Sequence, residues 1–422
     1  MRLTAEEQAI LDGQRGETLA KVMKSLVMYG DTFGAKKMVP ATGQAHLVTS
    51  FGLSVTTALF DVMDELIAAG LHAEQPFTMD PRPLDFENVP CNFLQRIVFG
   101  VMYGKQEDYE GQLRRLGLKN DKAFTCTCYM DEVGNVPARG QVLSWSESSA
   151  VVYANSVLGA RCNRNSAYMD IFGAILGRVP YFGLLTDEGR RASWVVEVKT
   201  SKRPEAQVLG SAIGLKVMED VPYIKGLAPF LGGQLDDSAK AYLKDMGAAS
   251  ASNGAVGLYH VEGLTPEAVD LGDALIRPGA KTYVIDDAEL ERVKAGYPVI
   301  WKNPDAKPKL CFIGCPHLSL SQLIGWTEKL EGALQGGRLK IKTVLTAAPD
   351  VLEAFRKTPY FERLRATGAR LSYICPLMYM NNPLCKALPV ITNSNKLRTY
   401  TAARYYTDDE VTAILVKGGE GA

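Results

Sequence analysis

Apolar residues recur at helical spacing near the start of the chain. Thr4, followed by Glu6, Glu7 and a periodic apolar run, predicts a capped first helix. Leu19, Val22, Met23, Leu26 and Val27 share one face of a second predicted helix over 16–29, with Gly30 and Gly34 breaking it. Residues 54–70 predict a third helix ended by Gly70, the proline-containing stretch 75–90 an ordered loop, and 91–117 further helix. ASWVVEV at 192–198 alternates as a half-buried strand does. Helices are predicted over 204–218 and 236–246, and the small-residue run GAASASNGA at 247–255 reads as a loop.

The last third alternates strand and helix. After a connector at 302–309, Leu310–Ile313 predicts a strand that runs into Gly314-Cys315-Pro316-His317. A helix over 318–330 follows, with Ser319 and Gln322 at capping-box spacing. Strands at 339–346, 370–374 and 388–392 and a helix at 350–366 complete the pattern. Such alternation predicts an α/β fold of mostly parallel sheets covered by helices. Three lobes are expected: an N-terminal lobe at 1–190, a middle α/β lobe at 191–300 and a doubly wound lobe at 301–422.

Composition narrows the function. Lys plus Arg and Asp plus Glu both number 47, so no basic surplus exists for nucleic acid or an anionic membrane. The N-terminus lacks the apolar core of a signal peptide, and no apolar run reaches the ~20 residues that span a bilayer. A cytoplasmic protein is expected. Eight cysteines in such a chain point to free thiols, metal ligands or catalysis, not to disulfides.

Parallel strands present their carboxyl ends at one rim, where ligands bind. Cys315, Cys375 and the cluster Asn393–Lys396 each follow a predicted strand, so the topology brings them together. Cys126 or Cys128 is the available third thiol. Three thiolates suit an iron–sulfur cluster with one iron left open, which acts as a Lewis acid on a hydroxyl leaving group while a base removes a proton. The competing readings are ordinary. A free cysteine is often a small buried hydrophobe. Cys126 and Cys128 also resemble half a zinc site, though without CxxC spacing. Cys91, Cys162 and Cys311 read as structural, and Cys385 competes with Cys375.

The segment Trp145–Arg161 (WSESSAVVYANSVLGAR), followed by Asn163-Arg164 and by Gly177-Arg178 through Tyr181, resembles the signature of the aconitase X catalytic domain. Leu3-Thr4, Gly34-Ala35, Val39-Pro40, Ala45-His46, Gly314–His317 and Thr392–Ser394 match in the same order. The resemblance implies an aconitase-like, multi-domain dehydratase of a small hydroxylated carboxylic acid. It implies an iron–sulfur cluster of open nuclearity on Cys126, Cys315 and Cys375. It implies substrate contacts at Thr49, Ser50, Asp80, Pro81, Glu147, Ser148, Ser394, Asn395 and Lys396. His46, Ser148 and Lys396 are candidates for the proton-moving group. His317 is either a base or a residue that orients the cluster loop, and Arg161 and Arg164 either bind a carboxylate or form salt bridges. The small swivel domain that completes family active sites is expected as a separate partner subunit. The alternative is a non-catalytic cluster- or metal-holding subunit that works only with that partner. Asp80, where relatives carry Asn, and Cys128, where they carry Pro, are departures that bear on the substrate.

Overall fold

The computed structural model describes residues 1–48 and 57–418. Thr49 and Ser50 therefore lie outside the described residues. Two parallel sheets organise the molecule. The middle sheet has four strands, in the spatial order His260–Val261, Pro222–Lys225, Ala192–Val198, Ile276–Ile285. The C-terminal sheet has five, in the order Arg370–Ser372, Lys342–Ala347, Leu310–Leu318, Val390–Thr392, Arg404–Tyr405. Both wind alike. The first strand in sequence is central, the next two step to one side, and the fourth lies on the other. The strand order reverses beside the first strand, which makes that rim a ligand-binding crevice.

Strand 310–318 is longer than the sequence predicts and buried along its whole length. Alternate residues face opposite sides of a sheet. Leu310 and Phe312 join a core shared with N-terminal helices, while Cys311 and Ile313 join a second core beneath the helix Leu320–Leu334. Burial on both faces explains the unbroken apolar run. It also accounts for Cys311 as a packing residue.

Local signals set several boundaries. Thr4 and Glu7 form a capping box on Ala5–Leu11, and Ser319 and Gln322 form one on Leu320–Leu334. Other boundaries differ from the sequence reading. Gly30 lies inside the helix Glu17–Thr32, where a Cβ would come within 2.8 Å of Pro180; close packing, not helix breaking, accounts for it. The stretch 91–117 is two helices, Phe93–Tyr103 and Gln106–Leu116, parted at Gly104. Pro359 likewise separates Pro349–Arg356 from Tyr360–Thr367. The expected loop at 247–255 is mostly helix, because Asp237–Asn253 continues through the small residues. Those residues permit close contact with the helix Ala206–Val217: a Cβ on Gly210 would fall 2.1 Å from the Met246 carbonyl oxygen. Tertiary packing overrides weak helix propensity there.

Candidate active site

A cavity of about 400 Å³ opens at the switch point of the C-terminal sheet. Cys126, Cys315 and Cys375 all line it. Cys315 comes from the end of the central strand. Gly314 before it has φ +106°, and a Cβ there would meet the Thr346 carbonyl oxygen at 2.5 Å, so only glycine lets the strand turn into the rim. Cys375 caps the short helix Pro376–Asn381 after the edge strand. Cys126 arrives from the N-terminal region, where Thr125 N donates to the Met79 carbonyl at 2.7 Å. Cys128 and Cys385, the two competitors, are buried elsewhere: Cys128 in the core around the middle sheet, Cys385 beside Tyr379.

Burial pushes the Cys126 thiol up to about 12 and raises Cys315 and Cys375 as well. Cys315 helps raise both Cys126 and Cys375, and Cys126 helps raise Cys375, so their sulfurs share one electrostatic neighbourhood. Among the described residues, no three His, Cys, Asp or Glu side chains gather as they would around a single ion. Three thiols that line one cavity are the donor type an iron–sulfur cluster takes, and Cys126, Cys315 and Cys375 would hold it. A backbone N–H from His317 lies 3.3 Å from the Cys126 sulfur, and the Lys396 ammonium favours the thiolate forms of Cys126 and Cys315. The donor set fits an anionic cluster.

The facing wall is Ser146-Glu147-Ser148 with Lys396 and Tyr400. Glu147 caps the helix Ser148–Ser156, with its carboxylate accepting from Ala150 N and Ser149 Oγ, each at 2.6 Å. It forms a buried ion pair with Lys396, whose ammonium also reaches Ser149 Oγ at 3.1 Å. Burial works to raise the Glu147 carboxyl, but Lys396 and these hydrogen bonds outweigh it and hold its pKa down. Burial likewise opposes the Lys396 charge; Glu147 and the nearby thiols outweigh it and hold the pKa up. Both groups are charged, and they neutralise each other. Lys396 and Tyr400 stand four apart on the helix Asn395–Tyr400, which puts them on one face.

Of the residues expected to contact substrate, Asp80, Pro81 and Ser148 also line the cavity. Ser394 and Asn395 do not. Ser394 Oγ accepts from Leu397 N as a helix cap and donates to the Cys315 carbonyl. Asn395 Nδ2 donates to Gln207 O at 2.8 Å and Tyr297 Oη at 3.0 Å, tying the two sheets' helices together. His46 also lies off the cavity wall, two residues before Val48. It is fully buried, its Nδ1 bonds Thr78 Oγ1 at 2.9 Å, and burial pulls its pKa down to about 4. Arg161 is spent on Asp187 and the Leu185 carbonyl. His317 lines the cavity with both ring nitrogens bonded. Sequence reasoning passed over Ser146, Asn381 and Tyr400. Only the i, i+4 spacing of Lys396 and Tyr400 signalled one of them.

Fold and site together define an α/β enzyme with a buried, thiol-lined cavity at a parallel-sheet rim. Family models described as the aconitase X first, second and third domains match residues 1–188, 192–295 and 308–409. The chain belongs to the aconitase X family. It is 33% identical over 350 residues to the phosphomevalonate dehydratase large subunit of Thermococcus kodakarensis, covering 82% of this chain and 81% of that one. It is 28% identical over 413 residues to cis-3-hydroxy-L-proline dehydratase of Pseudomonas aeruginosa, covering 94% of this chain but 66% of the relative. The crystal structure of Thermococcus kodakaraensis aconitase X in its holo form superposes with a TM-score of 0.82 at 29% identity, covering 99% of this chain and 100% of that one. The chain is a hydro-lyase of the kind these dehydratases represent. Among the described residues no helix is long and apolar enough to cross a membrane.

Proposed function

We propose that this chain is the large subunit of an iron–sulfur dehydratase acting on a small hydroxylated carboxylic acid. One observation carries the reading: three thiols from distant segments share a single cavity with a buried Glu147–Lys396 pair. Cys126, Cys315 and Cys375 would hold the cluster, and an iron with an open coordination position supplies Lewis-acid assistance to a leaving hydroxyl. The rest falls to the chain's own side chains. Lys396, Ser146 and Ser148 present donors to a substrate carboxylate, and apolar Val48, Pro376 and Leu377 exclude water from it. Ser148, at the cavity wall beside Glu147, and Lys396 are the candidates in this chain for moving the proton. A small swivel-type partner subunit would close the cavity; the large-subunit names of relatives support it. So does the third of the Pseudomonas relative that lies beyond the matched region. Asp80 on the wall sets the substrate's local charge and bears on which acid is accepted.

The test is anaerobic reconstitution with iron and sulfide, followed by assay with the small partner. Phosphomevalonate and cis-3-hydroxy-L-proline are the first probes. Visible charge-transfer absorption and partner-dependent loss of water are expected. A colourless protein that binds zinc stoichiometrically would sink the reading.

A further inference from the structure

His317 follows Cys315 by two positions, yet it touches the segments that carry both other thiols. Its Nε2 lies 3.1 Å from the Ile374 carbonyl oxygen, adjacent in sequence to Cys375. Its Nδ1 lies 3.0 Å from Thr125 Oγ1, adjacent to Cys126. Its backbone N–H points at Cys126 Sγ at 3.3 Å, and its carbonyl accepts from the buried Lys244 ammonium at 2.8 Å. A carbonyl can only accept, so Nε2 carries the ring proton and Nδ1 is left to accept from the Thr125 hydroxyl. That hydroxyl oxygen in turn accepts from Thr127 N at 3.0 Å, which fixes the turn holding Cys126. Both ring nitrogens and both backbone polar groups of His317 are thereby engaged, leaving none to take a proton from substrate.

We propose that His317 is a positioning residue: an imidazole that ties the three thiol-bearing segments into one register so that they can hold a cluster together. It is not the base. The inference rests on the cluster reading above. The geometry favours it because the three segments come from different parts of the fold. The cavity's central strand supplies one, the edge strand another and the N-terminal region the third, and the imidazole spans the gap between the last two.

The experiment uses the full-length chain, anaerobically reconstituted, as wild type, His317→Ala, His317→Gln and Thr125→Val. Iron loss to a chelator is timed, the reduced protein's electron paramagnetic resonance spectrum is recorded, and thiol alkylation of the metal-free protein is followed by mass spectrometry. His317→Ala should lose iron at least ~10-fold faster, the lower end of what removing an outer-shell partner costs. Its spectrum should broaden. Its Cys126 and Cys375 should alkylate faster, while Cys311, buried earlier in the same strand as His317, stays protected. Thr125→Val breaks one of the two ring contacts, along with the acceptor for Thr127 N, while leaving 314–317 unchanged, and should fall between. His317→Gln retains a side-chain amide donor for the Ile374 carbonyl and should recover part of the loss. Thr125→Val and His317→Gln keep the test open should His317→Ala fail to fold. Equal iron loss, an unchanged spectrum and equal labelling across the variants would overturn the proposal. A wild-type chain that takes up no iron would overturn the cluster reading, and the labelling comparison would then judge the tie alone.

Discussion

The two parallel sheets are wound identically around their first strand, yet only one rim carries thiols. In the C-terminal sheet the first strand ends in Gly314-Cys315-Pro316-His317, and the fourth leads into Ser394-Asn395-Lys396. In the middle sheet the equivalent positions are Lys199–Arg203 and Asp286-Asp287. Helices begin at both rims with side-chain caps, Ser394 and Ser319 in one sheet and Asp286 and Glu205 in the other. The decisive difference is cover. The N-terminal region lays Thr125, Cys126 and Glu147 over the C-terminal rim and dries it. The middle rim borders an open, charged cleft of about 1050 Å³ that includes the exposed Ser201–Arg203. Topology makes a crevice, but desolvation decides whether its charges interact strongly.

That contrast can be broken most severely at the thiols. Cys126→Ser, Cys315→Ser and Cys375→Ser should each abolish cluster absorption and cut turnover by more than ~100-fold, beyond the range of outer-shell changes. Cys311→Ser and Cys385→Ser should keep the absorption. Iron analysis and visible spectra check both.

Next in size is the buried pair. Glu147→Gln or Lys396→Met alone leaves a stranded charge and should lower stability by about 3–5 kcal/mol in denaturant melts of the metal-free chain. The double variant Glu147→Gln with Lys396→Met should cost less than the sum of the two.

A third, smaller effect is a pH dependence located at Glu205, a buried carboxyl at the middle rim. Burial raises the Glu205 carboxyl to about 7, while Tyr405 Oη and Val208 N donate to it at 2.6 and 2.8 Å. Between the unfolded carboxyl value and about 7 the folded chain binds the extra proton, so stability falls as pH rises through that window and levels off above it. Glu205→Gln should flatten that slope, by on the order of 1–3 kcal/mol between pH 4.5 and 7.5 as read by thermal melts. Smallest of all, Lys202→Ala on the exposed middle rim should move stability by less than about 0.5 kcal/mol and leave turnover unchanged.

Much of this was legible in the chain itself. Capping boxes at Thr4 and Ser319 mark helix starts because the chemistry is local. Strand periodicity and the rim rule together bring Cys315, Cys375 and Lys396 to one edge without any distance information. What stayed hidden depends on tertiary context. The helical fate of 247–253 needed a partner helix to reward its small residues. Strand pattern alone left Cys126 and Cys128 open; the family resemblance named Cys126, the one of the two that lines the cavity. Ser394 and Asn395 look like ligand contacts in sequence, yet their polar atoms serve a cap, a carbonyl and a neighbouring helix. His46 likewise reads as a catalytic residue and is buried behind the wall.

The central strand 310–318, with Leu310 and Phe312 committed to one interior and Cys311 and Ile313 to the other, behaves as a ruler. Deleting or inserting one residue between Leu310 and Gly314 would exchange Phe312 with Ile313 and turn the Cys315 sulfur toward the opposite interior. The connector at 302–309 is mostly exposed and carries no such division between interiors. The reach of the Cys315 sulfur into the cavity is thus metered by the count of residues in one strand.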